Sequence, residues 1–251
     1  MKKLKNVEET KFRFFGDKNY YDITYFFLND YEGEAKFIKK LLNKSKISPY
    51  KTSLLDIGCG TGNLFLYLKD FKALFGVDIS KKLIKIARNK KIKNAKFISK
   101  DIKKLNLKKK FNIIYISTFL IQTFPNIKIL QRFLNKIKKN LKEKGIIIFS
   151  WIDERDYSKT YKDGQSQKRY LQNKWSFNVT TYKINRKRYF KITFYDENNK
   201  MRLGSEALYL TFSKELLKNL AKRVNMKIIF FRNFGLKEPY QKWAVLCRNY
   251  S

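Results

Sequence analysis

Residues 53–64 read SLLDIGCGTGNL, where Asp56 is followed by Gly58, Gly60 and Gly62 at every second position. The apolar run Thr52 to Ile57 reads as a strand. Asn63 to Phe71 carries Leu64, Leu66 and Leu68 with Phe65 and Phe71, which reads as a helix, so the glycine-rich turn joins one to the other. Glycines there admit positive φ and remove side chains that would block a ligand. A phosphate-gripping P-loop would close on Lys-Ser or Lys-Thr, and Gly62-Asn63-Leu64 stands there instead. A dinucleotide loop would read GxGxxG and seat a pyrophosphate on the helix N-terminus. Here the spacing is GxGxG, and the adjacent Asp56 carboxylate would repel a pyrophosphate but attract a cation. The residues favour a cationic ligand.

S-adenosylmethionine, with its sulfonium and ammonium, is such a ligand. LLDIGCGTG resembles motif I of the class I S-adenosylmethionine-dependent methyltransferases, and further motifs follow in order over about half the chain. In LFGVDIS, Asp78 stands at the end of a second strand, where the family's acidic residue accepts both ribose hydroxyls, with Ile79 beside it. AKFISKDIKKL supplies a third strand reaching Asp101 and Ile102, which the resemblance places at the adenine. FNIIYISTFLIQTF supplies a fourth, with Ser117 and Phe119 beneath the methionine part. The implied cofactor is S-adenosylmethionine and the product S-adenosylhomocysteine. Local roles compete at several positions. Asp78 or Ser80 can cap the next helix, Asp101 can serve turn chemistry, Phe119 can be core, and Cys59 fits a small loop filler better than a nucleophile.

The lead-in YDITYFFLNDYEGEA resembles that of the N,N-dimethyltransferases acting on amino groups of nucleotide-linked sugars, a branch that shares an antiparallel insert and dimerises through it. Tyr20, Tyr21 and Tyr25 either lie over cofactor and substrate, as in that branch, or pack as a helix face. The likeness implies a small anionic substrate and a homodimer through the insert. Candidate acceptor contacts are Tyr20, Gln122, Trp151 and Arg155. Trp151 would stack on a ring and Arg155 would hold a phosphate. Candidate proton acceptors are Tyr21, Asp153 and Tyr157; each residue after the fifth strand is equally explained by loop or core chemistry.

Composition narrows the chemistry. The 251 residues contain no histidine, the usual base for an alcohol acceptor near neutral pH. An amine or oxyanion acceptor needs no such base, and no metal is expected. The 57 Lys and Arg against 21 Asp and Glu give a net charge of +36, which suggests nucleic-acid methylation as the alternative function. Against it, the lysines are scattered, the composition resembles the output of an AT-rich genome, and no Asn/Asp-Pro-Pro-Tyr-type motif follows the fourth strand. Two cysteines make no disulfide framework, and neither a signal peptide nor a membrane span is evident, so a cytoplasmic protein is expected.

The chain pass predicts an α/β, Rossmann-like class I methyltransferase fold: a mostly parallel seven-stranded sheet, helices on both faces, and a three-stranded antiparallel insert. Residues 1–152 plus 213–251 would form the cofactor domain with an N-terminal aromatic lid, and 153–212 the insert for substrate or dimer contacts. Helices are expected over Glu34–Ile47, Lys81–Lys90 and Ile127–Leu141, with another from Ser213 to Val224. The fifth strand is GIIIFSWI. The insert runs are Trp175–Ile184, Arg188–Tyr195 and Met201–Thr211. A hairpin of Lys227–Arg232 and Trp243–Cys247 closes the fold.

Overall fold

The computed structural model describes residues 12–14, 29–116, 120–160, 166–170, 176–184, 187–195, 198–205, 209–231 and 241–248. The strands are β1 (Phe12–Phe14), β2 (Ser53–Ile57), β3 (Ala73–Asp78), β4 (Ala95–Ser99), β5 (Phe111–Ile116) and β6 (Leu141–Ile152). They continue as β7 (Ser166–Tyr170), β8 (Ser176–Ile184), β9 (Lys187–Tyr195), β10 (Met201–Ser205), β11 (Tyr209–Leu210), β12 (Met226–Phe231) and β13 (Gln241–Arg248). The helices are α1 (Tyr31–Lys44), α2 (Lys81–Asn89), α3 (Ile127–Lys138), α4 (Glu154–Thr160) and α5 (Lys214–Arg223).

Seven strands form the main sheet in the order β12-β13-β6-β5-β2-β3-β4. Strands β2 to β6 run parallel, while β13 is antiparallel to both β6 and β12. Both faces are covered, which is why these strands read as continuous apolar runs rather than alternating ones. Leu55, Ile114 and Ile147 face α3 and α5. Their neighbours Leu54, Ile113 and Ile148 face α1 and α2. The helices begin on side-chain caps: Asp30 accepts from Gly33 N at 2.9 Å, Ser80 from Leu83 N at 3.3 Å, and Ser213 from Leu216 N at 3.1 Å.

Several expected boundaries move. The segment after the glycine loop is a 3₁₀ turn, Asn63–Tyr67, rather than a longer helix. Backbone bonds step in threes, from Phe65 to Gly62, Leu68 to Phe65 and Phe71 to Leu68. That period buries Phe65, Leu68 and Phe71 together. Helix α1 starts at Tyr31 and ends at Lys44. Helix α3 stops at Lys138 because Asn140 turns the chain, its Nδ2 donating to Leu107 O at 2.6 Å and Lys109 O at 2.9 Å. Leu141 then joins β6, opposite Phe111.

The three expected insert runs become β8, β9 and β10, and the sheet they form is wider than the sequence suggests. Its order is β1-β10-β9-β8-β7, with β11 added to β9. The extra strands escaped notice because β7 reads SQKRY, with no apolar alternation, and β1 is only three residues long. Their pairing rests on backbone bonds to distant partners. Phe12–Phe14 pairs antiparallel with Leu203–Ser205, so part of the segment expected as a lid of the cofactor domain belongs to the second sheet. Among the described residues no helix is long and apolar enough to cross a membrane.

Candidate cofactor site

The ends of β2 and β3 put the motif residues side by side, at the carboxyl edge where open α/β sheets bind ligands. All three loop glycines have positive φ: 82° at Gly58, 53° at Gly60 and 74° at Gly62. Side chains resist this conformation. At Gly62 a Cβ would also meet the Phe97 ring at 2.7 Å.

Asp78 ties the loop to the sheet. Its Oδ2 accepts from Gly60 N at 3.0 Å and its Oδ1 from Ser80 N at 2.9 Å. Each oxygen accepts two hydrogen bonds, so capacity remains for a pair of ribose hydroxyls. Burial raises the Asp78 carboxyl above its usual range, while the backbone N–H groups of Ser80, Gly60 and Ile79 pull it back. Ile79, next in the chain, is 71 % exposed.

Asp56 stands differently. It is 2 % exposed, and its Oδ1 has no hydrogen-bond partner among the described residues. Burial pushes its carboxyl well above the usual range, with Glu34 and then Asp78 adding to the effect. Cys59 is buried, and its thiol is likewise raised by burial, then by Asp56 and Asp78. Its sulfur lies where a Cβ on Gly76 would approach within 2.7 Å. That makes it an inert filler, not a nucleophile.

Asp101 and Ile102 follow β4, both half-buried, at a turn in which Lys104 N donates to Asp101 O at 2.9 Å. Tyr20, Tyr21, Tyr25, Ser117 and Phe119 lie outside the described residues.

The acceptor side needs correction. Trp151 is enclosed in the core with its ring 5.7 Å from Phe230, so it offers no open stacking face. Its side chain belongs to the buried face shared with α3 and α5. Asp153 is buried and caps α4, its Oδ1 accepting from Arg155 N at 3.0 Å and Asp156 N at 3.4 Å. Tyr157 is fully buried in the first turns of that helix, and Gln122 is buried in the Leu120–Thr123 turn. Only Arg155 of this set is exposed. Nearby, the Lys242 ammonium bonds Asp156 at 2.8 Å and lowers its carboxyl pKa.

Sequence reading missed Glu34, a buried carboxylate whose Oε2 accepts from Tyr115 Oη at 2.7 Å. A signal existed: Glu34 precedes Phe37, Ile38 and Leu41 by three, four and seven residues, the spacing of the apolar stripe.

The Asp56 and Asp78 sites suit S-adenosylmethionine. A buried carboxylate whose Oδ1 has no hydrogen-bond partner among the described residues precedes the positive-φ loop, and a second carboxylate with spare acceptor capacity closes the next strand. Asp78→Ala should weaken S-adenosylmethionine binding by about 1–3 kcal/mol, with Asp78→Asn intermediate. Calorimetry showing native affinity for both variants would remove Asp78 from the site.

The profile of the methyltransferase domain family matches residues 50–221. A carboxy-S-adenosyl-L-methionine synthase from Campylobacter jejuni subsp. jejuni is 36 % identical over 116 residues, covering 42 % of this chain and 46 % of that protein. The chain thus spans about half the length of this curated relative. Among solved structures, an S-adenosylmethionine-dependent methyltransferase from Clostridium acetobutylicum superposes with a TM-score of 0.76 at 18 % identity, covering 93 % of this chain and 100 % of that one. A sugar N-methyltransferase from a Streptoalloteichus species gives 0.71 at 18 % identity over 95 % and 97 % of the two chains. The chain belongs to the methyltransferase domain family and has the Rossmann-like fold of the S-adenosylmethionine-dependent methyltransferases.

Proposed function

We propose that this protein transfers a methyl group from S-adenosylmethionine to an amine or oxyanion of a small anionic metabolite, a nucleotide-linked sugar or related precursor of surface polysaccharide, in the cytoplasm. The observation that carries the reaction class is the buried Asp56 carboxylate before the glycine loop, its Oδ1 without a hydrogen-bond partner among the described residues, with Asp78 one strand away. The bound cofactor supplies a methyl group on a sulfonium and leaves as S-adenosylhomocysteine. The chain's task is alignment: Asp78 would take the ribose hydroxyls, Asp56 the cationic end, and Ile79 the base. Fixing donor and acceptor in line is worth roughly 7–11 kcal/mol.

With no histidine in the sequence, an acceptor that is already nucleophilic without deprotonation by an enzyme base is favoured. An amine arrives deprotonated, its nitrogen takes the carbon as the sulfur–carbon bond breaks, and any remaining proton leaves to water. The fold likeness to a sugar N-methyltransferase supports the sugar-amine class. Exposed Arg155 remains a candidate for a substrate phosphate. In this reading residues 1–152 with 213–251 hold the cofactor, and 153–212 meets substrate or a second copy, with β1 lending a strand to that sheet.

A nucleic-acid substrate is favoured by one observation. Residues 79–142 hold twenty Lys and Arg with Asp101 as the sole acid. A groove of about 450 Å³ at the β4 edge is lined by Arg88, Lys91 and Lys96, cations of the kind that neutralise backbone phosphates.

Mass spectrometry of reactions with S-adenosylmethionine separates the two. Nucleotide sugars, amino sugars and phospho-metabolites form one set and total RNA the other. A small molecule heavier by one methylene supports the proposal, and methylated nucleosides replace it with the second reading. A gain of mass on the cofactor itself would instead align the protein with its Campylobacter jejuni relative.

A further inference from the structure

Helix α2 carries its charges where a helix ordinarily resists them. Between Asp78 and Asp101 the sequence holds nine Lys and Arg and no Asp or Glu. Lys81 and Lys82 open the helix, whose first turn has no acid. Cations there oppose the helix dipole. By contrast α1, α4 and α5 carry Glu32, Glu154 and Glu215 in that turn. Leu83, Ile84 and Ala87 bury one side of α2. On the exposed side Lys81, Lys85 and Arg88 recur at i, i+4 and i+7, and like charges so spaced repel. The stripe continues past the helix into the β4-edge groove, through exposed Lys91 and Lys96. Arg88 stands at the junction, its Nε and Nη2 donating to Phe97 O at 3.1 and 2.8 Å. That fork fixes one cation in advance. A guanidinium has five N–H donors, so capacity remains for an anion.

A row of cations that weakens its own helix is stabilised by a row of anions. We propose that the exposed face of α2 and the β4 edge dock the phosphate backbone of a nucleic acid, irrespective of base sequence. Two other occupants fit less well. A membrane-surface helix needs an apolar side free to enter the headgroup region, and here that side is buried against the sheet. An added peptide strand needs open backbone groups along β4. The Arg88 fork already takes Phe97 O, and Ala95 N donates to Ile92 O. The face is also separate from the methyl-acceptor position. Lys91, Ile92 and Ala95 line the groove at the amino end of β4, whereas Asp78 pairs with Ser99 at the other end, about 13 Å on at the rise of a strand. The surface therefore tethers rather than reacts, and it stands whichever acceptor the enzyme methylates.

Fluorescence anisotropy with a labelled single-stranded RNA of about twenty nucleotides, at several salt concentrations, tests this. The native protein should bind, with log affinity falling linearly against log salt. Lys81→Gln, Lys85→Gln and Lys96→Gln together should weaken binding at least about tenfold. They should also reduce the salt slope by about 2, at roughly 0.7 per phosphate neutralised. A control removes the same charge from the opposite edge of the sheet, where Lys218, Lys222 and Lys227 are exposed near β12. Changing those three to Gln should alter affinity less than about twofold, because they lie beyond the screening length from the face. Both variants should keep native S-adenosylmethionine affinity, and the first should be no less stable than native, since its like-charge pairs are gone. Equal losses of RNA binding in the two variants would mean attraction by net charge alone and overturn the proposal. Absence of salt-dependent binding by the native protein, or tighter binding to phosphatidylserine vesicles than to the RNA, would overturn it too.

Discussion

Asp56→Asn is expected to make the ligand-free protein more stable at neutral pH while weakening S-adenosylmethionine binding roughly ten- to a hundredfold. Both effects follow from one buried carboxylate whose Oδ1 has no hydrogen-bond partner among the described residues. A hydrogen bond to a charged group contributes about 1.5–3 kcal/mol, and losing it to an amide yields that range of affinity. The stability effect has the opposite sign. Burial raises the folded-state pKa of Asp56, so folding favours the protonated form. The associated stability is fully present below the unfolded value of about 3.9 and is lost as pH rises through the folded pKa. An asparagine never ionises. Its advantage over aspartate should therefore be largest at neutral pH and vanish in acid. Thermal unfolding of both proteins from acid to neutral pH, with calorimetric titration of the cofactor, reads both effects. A variant less stable than native at neutral pH would mean that Asp56 has a stabilising partner in solution.

Trp243→Ala should cost about 3–5 kcal/mol of folding stability, the range for deleting a large buried aromatic. Trp243 lies on β13 with no exposed surface, stacked on Phe37 of α1 with ring centroids 5.0 Å apart and 6.0 Å from Tyr115. It therefore pins α1 to the sheet next to the Tyr115–Glu34 bond. Denaturant unfolding measures the loss, and Trp243→Phe should recover part of it. A cost below about 1 kcal/mol would show that the site repacks freely.

The cofactor half of the molecule was legible because its chemistry is local. Positive φ demands glycine at 58, 60 and 62, and strand ends place Asp56 and Asp78 whatever the rest of the chain does. Helix starts at Ser80 and Ser213 were equally plain, since a cap is a contact over three residues. The burial of Trp151 was not legible in the same way. Position along β6 puts Trp151 near the strand's end, yet whether its side chain turns to the core depends on α3, α5 and β12 packing against it. Glu34 was hidden by the opposite bias: an amphipathic helix was read by its apolar residues alone, and the carboxylate on the same stripe went unremarked. The second sheet was underestimated because β1 and β7 owe their place to backbone pairing at long range.

The union of β1 with β10 sets an order of events during synthesis. Phe12–Phe14 emerges from the ribosome long before its partners Leu203–Ser205. The parallel core β2-β3-β4-β5 can assemble in between, since each strand meets its neighbour soon after emergence. The leading strand meanwhile has nothing to pair with and presents bare N–H and C=O groups to other nascent chains. Bulky material fused ahead of β1 would accordingly delay the late sheet while leaving the early cofactor core to form on time.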